Sequence, residues 1–259
     1  MNTPKILLLD LESAPKVAYV WQFWKQTVHP DMVVADGYLM TAAFKWLKED
    51  VVSCISTEDE VGNDKNLVKA LADVLDRADV VIAHNAKKFD VPLFNARCLI
   101  HGVAPPSPYK IIDTLDVARK KFKFDSNKLE YLAMRLGCTP KGKHKKFPGF
   151  LLWSECMKGN LEAWKEMVEY NIQDVETLEE VYLKMRPWMD QHPNVANLIG
   201  DDTHRCPKCG SIHVQRRGTY TSNVGVYQRF FCNSCNGWSR TRFMENKGNK
   251  KLLGNAGVM

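Results

Sequence analysis

Four acidic residues and one tyrosine sit in three short segments spread along most of the chain. They are Asp10 and Glu12 in LLLDLES, Asp90 in VVIAHNAKKFDVPLFNAR, and Tyr170 and Asp174 in EYNIQDVETL. These groups can share one cleft only if a strand, a helix start and a helix face converge there. That requirement restricts the architecture more than any bulk property. Lys5–Leu9 is a short continuous apolar run, the pattern of a buried central strand. Asp10 and Glu12 follow at its end, two apart and so on one face. Asp90 comes after a second such run, Val80–Ala83, where the next helix would begin. Tyr170 and Asp174, four apart, project side by side from a helix. Each fragment alone is a weak signal, since a D-x-E is often a cap or turn. Together they form an oxygen-rich set suited to hard divalent cations.

The rest of the pattern supplies a frame for them. Tyr38–Trp46 and Val51–Ser56 read as strands joined by the turn Leu47–Asp50. Asn66–Arg77 carries Leu67, Val68, Leu71, Val74 and Leu75 at a helical period. Val91–His101 reads as a helix stopped near Gly102, Lys110–Ile112 as a strand, and Thr114–Lys121 as a helix that Asp113 caps. Ser126 would cap a helix running to Arg135, with Gly137 beyond it. Thr139–Phe150 reads as a basic loop and Leu161–Met185 as one long helix ended by Pro187. This order predicts an α/β domain, a mixed sheet with helices on both faces. At 259 residues the chain can hold one sizeable core and a small appended module. The predicted organisation is a main domain over 1–187, a linker over 188–204, a cysteine module over 205–245, and a flexible tail over 246–259.

The three acidic segments, in this order and in these settings, resemble the DEDD family of 3′–5′ exonucleases, which have an RNase H-like fold. The resemblance runs from about Lys5 to Lys184. HNAKKFDVPLFNAR is similar to the exonuclease domain of family-B DNA polymerases, as are IDTLDVAR and NKLEYLAMRLG. Tyr170 stands four before Asp174, and Glu169 rather than a His stands five before it, which matches the tyrosine (DEDDy) branch. The resemblance implies two Mg²⁺ or Mn²⁺ ions, with Asp10 bridging them. Glu12 and Asp174 would complete the nucleophile-side site, and Asp90 would hold the second ion largely through water. Tyr170 would orient the attacking water; an ordinary tyrosine pKa of about 10 suits an orienter better than a general base. Leu11 would lie under a terminal base and Asn85 would bond the terminal nucleotide, with capping of the following helix as the other reading of Asn85. Phe89 joins the substrate-binding set on the resemblance, while core packing is the plainer reading of its ring. No polymerase domain follows, so the resemblance speaks to the reaction and leaves the setting open. A separate proofreading subunit, or another partner of a replication or repair protein, is one setting it admits.

The cysteines divide in the same place as the domains. Cys54, Cys98, Cys138 and Cys156 are single and read as reduced structural thiols. Cys206, Cys209, Cys232 and Cys235 form two CxxC pairs with 22 residues between them. A β-hairpin, Val214–Tyr220 and Val226–Phe231 turning at Asn223 and Gly225, fills that gap. The pattern predicts a zinc ribbon holding one structural Zn²⁺, with a redox dithiol as the alternative. Four thiolates leave no vacancy, so His204 and His213 are expected to be bystanders.

Charge points to a polyanionic partner. The net charge is +6, and residues 201–259 hold ten Lys+Arg against three Asp+Glu. Arg119–Lys146 is a second basic zone. Lys143, Lys145 and Lys146 in one zone, and Arg216, Arg217 and Arg229 in the other, are the candidate substrate contacts. Arginines interleaved with Tyr220, Tyr227, Phe230 and Trp238 suit backbone contact with base stacking. Single-stranded DNA is the favoured partner, with RNA open. No run of 18 apolar residues or signal peptide is read, so a cytoplasmic protein with no membrane partner is expected. A binding module that has lost its chemistry is the non-enzymatic reading, and the full acidic set argues against it.

Overall fold

The computed structural model describes residues 3–139, 146–223 and 225–244. The chain divides into two compact units, Lys5–Tyr182 and the described residues from Leu183 onward. The first unit contains β1 (Ile6–Ser13), β2 (Val17–Ala18), β3 (Val33–Ala35), β4 (Leu39–Trp46), β5 (Ser53–Ser56), α1 (Lys65–Leu75) and β6 (Val80–Ala83). It continues through α2 (Asp90–His101), β7 (Lys110–Asp113), α3 (Thr114–Lys121), α4 (Leu129–Leu136), α5 (Leu151–Met157) and most of α6 (Leu161–Met185).

Five strands form one mixed sheet in the order β5-β4-β1-β6-β7. β1, β6 and β7 run parallel, while β4 and β5 are antiparallel to their neighbours. A central strand buried on both faces must be apolar throughout, which accounts for ILLL at its start. β1 also runs further than the apolar run suggested. Asp10, Leu11 and Glu12 pair with Ala43, Ala42 and Thr41, so both acids lie within the strand rather than after it. The ladder continues because β4 is itself long.

Alternation along β1 separates its two faces. Leu7, Leu9 and Leu11 pack with Leu67, Val68, Leu71 and Phe94 of α1 and α2. A second core joins Ala14, Tyr38 and Met40 to Leu152, Trp164 and Met167 of α5 and α6. α6 is held to the sheet by Lys45 and Glu179, whose charged atoms meet at 2.5 Å with little exposure. The buried Asp64 binds β4 to α2. It accepts from the Leu39 amide at 2.8 Å, from Arg97 at 2.6 and 2.7 Å, and contacts His101 at 2.6 Å. Burial alone would raise this carboxyl; the Arg97, Leu39 and His101 hydrogen bonds outweigh it and hold it below the usual range.

Several elements depart from the sequence pattern. α4 starts at Leu129 with Lys128 before it, and Ser126 Oγ accepts from the Lys128 amide at 3.4 Å. Ser126 therefore shapes the turn ahead of the helix and does not cap it. α5 and the β2–β3 pair carry no clear period and were not expected. Asp113 does cap α3, accepting from the Leu115 and Asp116 amides. Lys143, Lys145 and the expected tail 246–259 lie outside the described residues.

The second unit holds α7 (Val195–Ile199), capped by Asn194, and β8 (Val214–Ser222), β9 (Gly225–Cys232) and β10 (Trp238–Arg240). The strands form an antiparallel sheet in the order β10-β9-β8. The segment expected to be a linker packs within this unit, since the Val195 amide donates to Pro207 O at 2.7 Å.

Candidate metal-binding cleft and cysteine cluster

Asp10, Glu12 and Asp174 each place one carboxylate oxygen within 4.8 Å of the other two. β1 contributes the first two from one face, and α6 brings Asp174 against them. Three carboxylates this close repel one another unless a cation or a donor lies among them. One donor is Asn171, buried on α6, whose Nδ2 lies 2.6 Å from Asp10 Oδ2 and 3.3 Å from Asp10 O. Asn171 was missed in the sequence. Its only signal there is its position, beside Tyr170 and three residues before Asp174, on the same helix face.

Asp90 is the first residue of α2 and is buried. Its Oδ1 accepts from the Leu11 amide at 3.2 Å, joining the helix start to the central strand. It lies outside the tight group of three but lines the same cleft of about 650 Å³. Burial, with a smaller push from Asp113, raises its carboxyl to about 7, against two backbone hydrogen bonds that lower it. Tyr170 packs edge-on to Trp153, ring centroids 6.1 Å apart. Burial, then the charges of Asp174, Glu12 and Asp10, push its phenol far above the ordinary range, and it hydrogen-bonds Asp174. It is therefore a protonated donor.

The rim is built by a loop that Asp113 organises. Besides capping α3, Asp113 accepts from the Asn85 amide at 2.9 Å and the Lys87 amide at 3.1 Å. Asn85 sits at φ 72°, a left-handed conformation that Asn tolerates better than most residues. His84 Nε2 donates to Asn127 O at 3.0 Å, and Nδ1 lies 2.8 Å from Thr114 Oγ1. Phe89 lines the cleft at 42% exposure, which corrects its reading as core. Leu11 borders the cleft but is only 3% exposed, packed in the sheet core, so it offers little surface to a base. Lys87 pairs with Asp116 at 2.9 Å and Lys146 with Glu162 at 2.5 Å. The basic zone instead lends Arg119 and Lys128 to the cleft wall.

In the second unit the four Sγ atoms of Cys206, Cys209, Cys232 and Cys235 lie within 4.8 Å of one another. Cys206–Cys235 is 3.6 Å and Cys209–Cys232 is 3.7 Å. Each CxxC is a tight turn closed by a backbone bond at 2.9 Å, from the Gly210 amide to Cys206 O and from the Asn236 amide to Cys232 O. Both closing residues are left-handed, Gly210 at φ 74° and Asn236 at φ 59°. Hydrogen bonds from Cys206 and Cys209 lower the Cys235 thiol to about 2, while those involving Cys209 and Cys235 raise Cys206. Four sulfurs this close, on two turns of one shape, suit a set completed by a cation.

Around this cluster, arginines stack on rings. Arg217 lies 4.8 Å from the Phe231 centroid, Arg229 4.8 Å from Trp238, and Arg240 4.0 Å from Tyr227. Arg216 is on β8 with Arg217. Lys208, Arg229, Arg240 and Arg242 line a cleft of about 580 Å³ together with Tyr220 and Trp238.

A mixed sheet with a carboxylate cluster on its central strand and helices on both faces defines an RNase H-like protein. The chain belongs to the RNase_H superfamily, which it matches over residues 35–186. That span holds Asp90, Tyr170 and Asp174 and begins after Asp10 and Glu12. Among solved structures, it is similar to the family B DNA polymerase from the hyperthermophilic archaeon Pyrobaculum calidifontis. The identity is 14% and the TM-score 0.48, over 71% of this chain and 25% of the polymerase. The chain thus spans about a quarter of that protein's length. No curated protein matches it. The fold and the acidic cluster are consistent with a metal-dependent nuclease. Among the described residues, no helix is long and apolar enough to cross a membrane.

Proposed function

We propose that this chain is a metal-dependent 3′–5′ exonuclease of the tyrosine branch, acting on single-stranded DNA or frayed 3′ ends. The observation that carries the reading is the convergence of Asp10, Glu12 and Asp174 within 4.8 Å, with Tyr170 bonded to Asp174. Hard oxygen donors fit Mg²⁺ or Mn²⁺. When bound, two such ions supply an acidified water and charge stabilisation for the departing 3′-oxygen. Asp10, Glu12 and Asp174 would hold them, with Asp90 serving from the start of α2. Asn171 keeps Asp10 aimed into the cleft, and the Tyr170 hydroxyl orients the attacking water. Asn85 and the exposed face of Phe89 receive the terminal nucleotide. Arg119 and Lys128 take backbone phosphates in the cleft, and Lys143 and Lys145, from the same basic stretch of sequence, add to them.

The four thiolates fit one structural Zn²⁺, a closed tetrahedral set. The arginine-lined cleft beside them, with Arg216, Arg217 and Arg229 on its strands, supports a role for this module in holding nucleic acid. The ring contacts and one hydrogen bond each, Arg217 to Gln215, Arg229 to Arg217 O and Arg240 to Thr241 O, orient the guanidinium planes, and their remaining N–H groups would meet phosphate.

The test is a 5′-labelled oligonucleotide incubated with Mg²⁺, run on DNA and RNA of one sequence. A ladder shortening from the 3′ end is expected, strongest on DNA. Asp10→Ala and Asp174→Ala should each slow it by about 10³-fold or more, since several kcal/mol of metal-borne stabilisation leaves with them. A ladder unchanged in both variants would sink the assignment.

A further inference from the structure

The β2–β3 hairpin carries an unusual side-chain set on its loop. Tyr19, Trp21, Phe23 and Trp24 are 77%, 96%, 92% and 83% exposed, and Val20 and Val28 are about half exposed. Large rings are the side chains that gain most from burial. A contiguous run held out in water marks a contact surface. The loop is nonetheless structured at its base. The Tyr19 amide donates to Met32 O at 2.9 Å, and the Gln22 amide to Gln26 Oε1 at 3.1 Å. Gly37 lies so close to Ala14 that a Cβ there would meet Ala14 O at 2.7 Å. The hairpin thus springs directly from the end of β1.

Charge and position select the occupant. From Ala14 to Pro30 the chain carries Lys16, Lys25 and His29 and no acidic residue. Lys16 is paired to Asp36 at 2.5 Å, while Lys25 sits beside Trp24 at the tip. The loop's one acid, Asp31, lies at its far end against His29 at 3.2 Å, so the ring-bearing stretch Tyr19–Val28 carries Lys25 and no acid. That suits a ligand with flat π faces and a negative backbone, which describes single-stranded nucleic acid. The loop also follows closely in the chain on the strand that carries two of the acids. Val17, the first residue of β2, is five positions from Glu12, a reach of at most about 18 Å of extended chain.

We propose that the Tyr19–Trp24 loop is a stacking platform for the bases of a single strand whose 3′ end lies in the acidic cleft. The proposal rests on the nuclease reading of that cleft. Each base that stacks on a ring adds affinity without sequence preference, so the platform holds the strand through successive cleavages.

The test measures binding of 5′-fluorescein-dT20 by anisotropy in EDTA, where no cleavage occurs. Trp21→Ala/Trp24→Ala should raise Kd on the order of 10-fold per ring lost, and Trp21→Phe/Trp24→Phe should retain most of the affinity. Unlabelled dT20 should quench the wild-type tryptophan fluorescence. An unchanged Kd in the alanine pair overturns the proposal. So does sedimentation in which the wild type dimerises, the alanine pair does not, and both bind dT20 equally, for the rings would then join two copies. Hydrolysis of thymidine 5′-(p-nitrophenyl phosphate) by the wild type with Mg²⁺ tests the cleft separately, because this substrate is a single nucleotide with no further bases to stack. Its failure would count against the nuclease reading and leave the binding result to stand by itself.

Discussion

The acidic cleft and the cysteine cluster are both candidate metal sites, yet they are assembled in opposite ways. The cleft draws Asp10 and Glu12 from a strand, Asp90 from a helix start and Asp174 from a distant helix. Its geometry exists only after a large sheet has formed. The cysteine cluster takes its ligands from two local turns of one shape, each closed by a left-handed residue. Little apolar surface surrounds it: among the described residues, Val214 is the one hydrophobic side chain besides cysteine that packs on the cluster. In the first case the fold makes the site, and in the second the site makes the fold.

Metal removal is the harshest way to break that contrast. Structural Zn²⁺ in small modules has apparent binding energies of about 10–16 kcal/mol, and that energy is folding energy. Stripping zinc with a strong chelator, or replacing Cys206 by Ser, should abolish amide hydrogen-exchange protection across β8, β9 and β10. Amides of β1 and β6 should stay protected, because their core contains no metal ligand beyond the acids at its edge. Protection persisting in β9 after zinc loss would show that the ribbon folds by its own packing.

A second prediction uses the cost of keeping a buried carboxylate. Asp90 is raised to about 7 in the metal-free protein, against about 3.9 in an unfolded chain. Above pH 7 it is ionised in a site that resists the charge. A shift of that size weakens the metal-free fold by an amount on the order of 4 kcal/mol at most. Asp90→Asn in EDTA at pH 8 should therefore raise the melting temperature. As pH falls through 7 the wild-type carboxyl takes up its proton, and the difference should shrink toward zero near pH 4. The same variant should lose Mg²⁺-dependent cleavage. If Asp90→Asn instead destabilises the EDTA form at pH 8, the carboxylate is part of the scaffold and the contrast between the two sites weakens.

These two sites also differ in how legible they were. The cysteine pairs could be read directly, since spacing within four residues fixes a turn and the hairpin between them alternates. The acids could be placed because period two on β1 and period 3.6 on α6 each define a face. Asn171 could not, for an amide on a helix looks like a surface residue until the crossing of α6 over β1 buries it. Phe89 was misjudged for the complementary reason: its ring looks like core, but the turn that Asp113 pins leaves it at the cleft mouth. α7, β10 and the β2–β3 hairpin are too short to carry a period, and tertiary contacts alone define them. The aromatic loop escaped notice because it contributes to no core.

The smallest effect expected is at Asn171, and it separates positioning from ligation. The amide meets Asp10 at 2.6 Å but cannot replace a carboxylate as a hard ligand. Groups that orient metal ligands typically carry about 10–100-fold in affinity or activity. Asn171→Ala should raise the Mg²⁺ concentration needed for half-maximal cleavage by that factor, while the rate at saturating Mg²⁺ falls less. Asp10→Ala, by contrast, should not be rescued at any Mg²⁺ concentration. Asn171→Asp places a fourth carboxylate in the cluster, and the metal-free protein should melt lower as pH rises above the carboxylate range. If Asn171→Ala loses rate without any shift in Mg²⁺ dependence, Asn171 acts on α6 packing and not on Asp10. A fold-made site would then depend on its helix more than on the hydrogen bond that aims its central acid.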